Sequence, residues 1–125
     1  MPAIQSHRDL IVWQKAVDLV EHIYRLTECF PAEERIGLVF QIKRAAVSVP
    51  ANIAEGYARS SRKNYAQFLS IAKGSLMEVE ALLTIAQRLG YVKAAGVVPS
   101  RALIEEISKM LTRLRERLLN PTRPV

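Results

Sequence analysis

Four stretches of three-to-four-residue apolar periodicity, with no stretch of strand alternation, predict an all-α protein. The connecting loops are short. These are the ingredients of an up-down-up-down four-helix bundle. The 125 residues suit one domain spanning 1–125. A 50% hydrophobic share excludes a disordered polyelectrolyte and fits a chain that buries a core.

The first helix is expected over about 10–27. Leu10, Trp13, Val17, Val20 and Tyr24 recur at helical spacing, with Ala16 and Ile23 beside them. Ser6 or Asp9 is the expected cap, and Phe30-Pro31 ends the segment. The second is expected over about 34–58, with Leu38, Ile42, Ala45, Val49 and Ile53 as its core stripe. Pro50 removes a backbone donor and should bend it. The stripe keeps its phase across Pro50, which predicts one kinked helix, not two.

The third helix is expected over about 61–89, capped by Ser60-Ser61. Tyr65, Phe68, Ala72, Leu76, Val79, Leu82, Leu83, Ala86 and Leu89 supply its apolar face, and Gly90 suits a left-handed C-terminal cap. A loop through Lys93, Gly96 and Pro99 should follow. The fourth helix is expected over about 100–119, with Leu103, Ile107, Leu111, Leu114 and Leu118 inward and Asn120-Pro121 as its stop.

The second helix carries more than a core stripe. At about 100° per residue, Gln41, Arg44, Ser48, Asn52, Glu55 and Arg59 share an arc of about 80°, a quarter-turn from the core. The remaining arc holds Lys43, Val47, Ala51, Ala54 and Ala58, where a solvated helix would carry charge. Small apolar side chains let another helix come close, so Val47, Ala51, Ala54 and Ala58 are the expected interface with a second copy. The polar arc must then find partners. Glu55 and Arg59 can pair at i,i+4. Gln41, Arg44, Ser48 and Asn52 are expected to join Ser75 and Glu78 of the third helix in a polar network, with Gly74 letting that helix approach.

Net charge is +6, unevenly placed. Residues 1–34 hold three basic and six acidic side chains, whereas 35–63 hold six and one. Residues 101–125 hold six and three. Arg59, Arg62 and Lys63 cluster where the second helix turns into the third, beside the free backbone donors of a helix start. Lys109, Arg113 and Arg117 form a stripe on the fourth helix. These six are the candidate nucleic-acid-binding residues. No aromatic residue is seen among the charges to stack on bases, so sequence-specific single-strand reading is not suggested.

Familiar catalytic patterns are missing. His7 and His22 lie fifteen apart without a cysteine pair, so no metal site of ordinary spacing arises. No phosphate-binding glycine loop, dinucleotide fingerprint or nucleophile elbow occurs. No cofactor is expected. Cys29 is expected to be a half-buried, inert thiol, and one cysteine favours a reducing, cytoplasmic setting. Neither a signal peptide nor an apolar run of about 20 residues is visible.

The run Arg44-Ala45-Ala46-Val47-Ser48-Val49-Pro50-Ala51-Asn52-Ile53-Ala54-Glu55-Gly56 resembles the signature of the four-helix-bundle 23S rRNA intervening-sequence proteins. So do Leu10-Ile11-Val12-Trp13-Gln14-Lys15-Ala16 and the stretch from Phe68 to Glu78. The resemblance spans residues 7 to 92. It implies a small cytosolic bundle assembling as a ring-like homopentamer, with no established catalytic activity. A related branch, the accessory protein of diversity-generating retroelements, is a basic pentamer that binds a reverse transcriptase and nucleic acid. The expected function is therefore a non-enzymatic homo-oligomeric scaffold that binds RNA, DNA or a nucleoprotein. The alternatives are an adaptor for an acidic or polymerase-like protein, and a cryptic nuclease using Glu55 and Glu78.

Overall fold

The computed structural model describes residues 3–121. Four helices carry the fold: α1 (Ile11–Leu26), α2 (Leu38–Tyr57), α3 (Arg62–Arg88) and α4 (Ala94–Leu119), with no strand among the described residues. Each helix packs on its neighbours in sequence, and α4 closes the square on α1. The most extensive contact joins α2 and α3. Leu19, Ile23, Ile42, Val49, Ile53, Leu69, Leu76, Leu83, Ile107 and Leu111 fill the centre and are fully buried. Each such side chain is worth about 1.5–3 kcal/mol in apolar surface removed from water.

The α2 stripe is as expected, with Leu38, Ile42, Ala45, Val49 and Ile53 all buried. The helix runs unbroken through Pro50, which is itself buried. On α1 the buried line is Val12, Ala16, Leu19 and Ile23. The expected line is therefore rotated: Leu10, Trp13 and Val20 sit partly buried on its flank, and Tyr24 is exposed. On α3, Ala66 and Leu69 join the buried face, while Leu89 is exposed.

The helix ends show local chemistry. Ser6 and Asp9 do not cap α1. They form a reciprocal capping box on the 3-10 turn His7–Asp9 that precedes it. Ser61 caps α3 by accepting from the Asn64 N–H at 3.0 Å. Gly90 has φ +82°, and the bonds Tyr91 N–H to Ala86 O and Gly90 N–H to Gln87 O close a Schellman motif.

Two boundaries differ from expectation. A 3-10 turn, Ala32–Glu34, precedes α2, which starts only at Leu38. Helix α4 starts at Ala94, so Gly96 and Pro99 are helical and not loop. Pro99 lies in the second turn, where it removes a single ladder hydrogen bond, and α4 can absorb that cost.

One corner links both loops at this end of the bundle. Glu34 Oε1 accepts from the Leu38 N–H at 3.1 Å and thereby caps α2. Glu34 Oε2 accepts from the Tyr91 hydroxyl at 2.8 Å, beyond the end of α3. The Tyr91 ring lies 5.7 Å from that of Phe30. Cys29, which is exposed, directs its thiol at the carbonyls of Leu26 and Tyr91. Further along, Arg101 of α4 grips α3: Nε meets Glu80, Nη1 donates to Gln87 and Nη2 to Thr84.

Two glycines make opposite demands. A Cβ on Gly56 would lie 2.8 Å from Phe68 Cβ and 3.0 Å from Tyr65 Cδ1, so α2 and α3 meet there at glycine distance. A Cβ on Gly74 would meet nothing within 4 Å, so the close-approach role expected of Gly74 belongs to Gly56. Gly56→Ala should lower stability by about 1–3 kcal/mol through overpacking. Gly74→Ala should raise it by up to about 1 kcal/mol through helix propensity. Chemical denaturation of the two variants checks both signs.

The Glu34 corner makes stability depend on pH. The Leu38 N–H, then the Tyr91 hydroxyl, hold the Glu34 carboxyl below its ordinary value against a smaller opposing effect of burial. The bond to Glu34 pushes the Tyr91 phenol up. Glu34's contribution is present above the ordinary carboxylate range and fades as pH falls through its lowered value. That of Tyr91 is present below the ordinary phenol range and fades as pH rises through its raised value. Denaturation midpoints measured against pH should show both limbs, and Glu34→Gln should flatten the acid one.

Candidate nucleic-acid interface

The α2–α3 packing brings part of the expected polar network together. Ser48 Oγ and Ser75 Oγ lie 2.9 Å apart across the two helices. Asn52 Nδ2 donates to the Ser48 carbonyl at 2.8 Å and to Ser48 Oγ at 2.9 Å. Asn52, Ser48 and Ser75 thus form one chain of hydrogen bonds on partly buried side chains. Gln41, Arg44 and Glu78 are exposed and outside it. Glu55 pairs with Arg59 at 3.1 Å, one turn along α2. Neither a hydrogen bond nor an ion pair joins Glu55 to Glu78 among the described residues.

The outward arc of α2 is apolar and uncovered in the single chain. Val47 is 42% exposed, and Ala51 and Ala58 are exposed with Ala54 partly so. The structure adds Phe40 at 56% exposure and Ile36 at 91%, in the turn before the helix. Phe40 lies two turns before Val47 on the same arc, a signal the helical period already contained. Lys43 is folded sideways, its ammonium 4.5 Å from the centre of the Tyr24 ring. That cation–π contact holds the charge at the rim of the arc, where Lys43, Arg35 and Arg44 line a pocket with Phe40 and Val47.

The basic residues divide into three settings. Arg59 lies over the Phe68 ring, with its guanidinium carbon 4.7 Å from the ring centre. The Tyr57 and Tyr65 rings meet edge to face nearby, 6.2 Å apart. Burial, and secondarily Tyr57, pushes the Tyr65 phenol up. The expectation that no aromatic lies among these charges is therefore wrong. Phe68 lies under Arg59, with Tyr65 and Tyr57 nearby, and the turn between α2 and α3 hid that grouping in the sequence.

Lys63 belongs to a different surface. It lines a groove between α3 and α4 with Gln67, Ser70, Ile71, Arg115 and Leu119. This groove continues into one of about 540 Å³ that includes Lys73, Gly74, Met77 and Thr112. Lys73 donates to the Thr112 hydroxyl at 2.8 Å. Lys73 and Arg115 went unnoticed in the sequence because only the packing of α3 on α4 makes them neighbours of Lys63.

On α4 the expected stripe is uneven. Lys109 is paired with Glu105 at 3.2 Å. Arg113 and Arg117 line a groove of about 660 Å³ against α1, beside Ile4, Leu10 and Ile11. Among the described residues, no carboxylate pairs with Arg62, Lys63, Arg113, Arg115 or Arg117. Nor do three or more His, Cys, Asp or Glu side chains come together there in a way that could hold a metal ion. No described helix is long and apolar enough to cross a membrane.

Fold and surface together define a small all-helical bundle with an uncovered apolar helix face and separate basic grooves. Residues 8–113 match the family described as 23S rRNA-intervening sequence protein. The chain belongs to that family. Among solved structures it is similar to a protein of unknown function from the S23 ribosomal protein family of Bacteroides thetaiotaomicron VPI-5482. The two share 25% identity at a TM-score of 0.78, over 85% of this chain and 99% of that one. No curated protein matches. Neither description names a catalytic activity.

Proposed function

We propose that the chain is a self-associating, non-enzymatic helical scaffold that binds nucleic acid mainly through phosphate contacts. The observation that carries the reading is the set of cations on α3 and α4 that have no carboxylate partner among the described residues, above all Lys63 and Arg115 along one groove. Cations without internal carboxylate partners keep their full attraction for an external polyanion. The exposed apolar arc of α2 supports self-association, since an apolar stripe of this length costs solvation while it stays bare. The resemblance gives five as the expected number of copies. In a closed ring each basic groove recurs once per subunit, so weak single sites act together.

Binding should fall steeply with salt. Log affinity for duplex DNA should drop against log salt by about 0.9 per phosphate contact. Fluorescence anisotropy with a duplex and a structured RNA measures this slope. Lys63→Glu with Arg115→Glu should weaken binding at least about tenfold and flatten the slope. Affinity indifferent to salt, or none at low ionic strength, overturns the reading.

Self-association is tested by light scattering at micromolar concentration. The wild type should run as an oligomer, and Ala51→Glu should give a monomer of unchanged helicity by circular dichroism. A monomeric wild type refutes the scaffold.

A further inference from the structure

The corner between α2 and α3 carries a second kind of contact surface. Arg59 is held in place twice: Glu55 takes its Nη2 at 3.1 Å, and the Phe68 ring lies beneath it at 4.7 Å. A guanidinium fixed on a ring offers its outer face as a flat, cationic plane. The Arg59 side chain remains 43% exposed, so that face is not sealed by the protein. Tyr65 is one turn before Phe68 on α3 and meets Tyr57 edge to face. Arg62, exposed and without a carboxylate partner among the described residues, opens the same helix three residues before Tyr65. The corner thus joins a stacking plane and two further rings, with a cation one turn before Tyr65.

We infer that Arg59, on its Phe68 support and beside Tyr57, Tyr65 and Arg62, stacks on an unpaired nucleobase of a single-stranded RNA or DNA segment. This rests on the nucleic-acid reading above and deepens it. Phosphates alone favour the duplex, whose charge density is the higher, so they do not select a single strand. A base face is available to a guanidinium plane only where the base is unstacked. Every base has a π-face, so the site tolerates sequence and selects strandedness. Phe68 also marks how closely the two helices approach: its Cβ is the atom that would clash with a side chain at position 56. Close packing of α2 on α3 therefore sets the height of the ring under Arg59.

The test compares a 12-nucleotide poly(U) strand and oligo(dT) with a 12-base-pair duplex, by anisotropy at one fixed salt concentration. The wild type should bind the single strands more tightly than the duplex. Arg59→Lys keeps the charge and loses the plane, and should weaken single-strand binding about tenfold with little change for the duplex. Phe68→Leu keeps the apolar filling and should act in the same direction; its thermal unfolding curve confirms that it is folded. Lys63→Glu with Arg115→Glu should instead weaken duplex and single strand together. Equal wild-type affinity for both forms, or an Arg59→Lys variant that binds single strands like the wild type, overturns the stacking site while the phosphate-binding scaffold stands. Absence of binding to either form overturns both.

Discussion

Helices α2 and α3 meet along their whole shared length, and what lies between them changes from one end to the other. At the α2 C-terminus the contact is closest, because Gly56 leaves room for Phe68 and Tyr65. In the middle it is polar, with Asn52 bonded to Ser48 and Ser48 to Ser75. The buried Ile42, Val49, Leu76 and Leu83 close the rest from the core side. A fully buried hydroxyl that loses its partner costs about 1–3 kcal/mol and a partly buried one less, so the Ser48–Ser75 bond adds a directional penalty to a sliding of one helix past the other. Apolar contacts alone would tolerate that sliding better, since they lack direction. The height of Phe68, and with it the pose of Arg59, follows from this fixed register.

The opposite end of the bundle is held by different means. There Glu34 serves two partners that belong to separate connections, the start of α2 and the chain beyond α3. Arg101 adds a fork from α4 onto three α3 side chains, using Nε and both terminal nitrogens. These polar clasps lie at the rim, where water competes, and their individual worth is modest. Their effect is geometric: the Glu34–Tyr91 bond ties the start of α2 to the chain beyond α3, and Arg101 ties α4 to α3. The groove lined by Lys63 and Arg115 lies between α3 and α4, so its width depends on how those two helices are held.

How much of this was legible in the sequence varies with the range of the interaction. The α2 core stripe, the Ser61 cap and the Gly90 cap depend on spacings of three to five residues and could be read directly. The α1 stripe was misplaced because α1 is apolar around more than half its circumference. Packing, not period, chooses Leu19 over Val20 as the centre of its buried line. The start of α4 was misplaced because Gly96 and Pro99 normally signal a loop. A proline so near a helix start leaves most donors untouched, and Val97 gains a buried place by being helical. Pairs far apart in sequence left no local trace: Glu34 with Tyr91, Arg101 with Glu80, Lys63 with Arg115. The Arg59–Phe68 stack is a middle case. Both residues stood within ten positions, but the turn at 58–61 erased the helical phase that would have placed them together.

The outward arc of α2 is mainly apolar, with its cations at the rim, and this arrangement has a physical consequence. Were the cations on the outward arc of α2, burying that arc against another copy would strip them of water at a cost of several kcal/mol each. Lys43 leans onto Tyr24 at the rim of that arc, with Arg35 and Arg44 beside it. Its middle, at Val47, Ala51, Ala54 and Ala58, can therefore lose water while the cations stay at the edge. Lys63, Arg113, Arg115 and Arg117, on α3 and α4, have no carboxylate partner among the described residues and keep their solvation until an anion replaces it. Association through α2 would multiply those grooves without consuming them, and a chain with one weak groove would become an assembly with several. Duplex affinity should then fall more steeply than any single groove explains when α2 is prevented from pairing, because effective concentration is lost along with the partner.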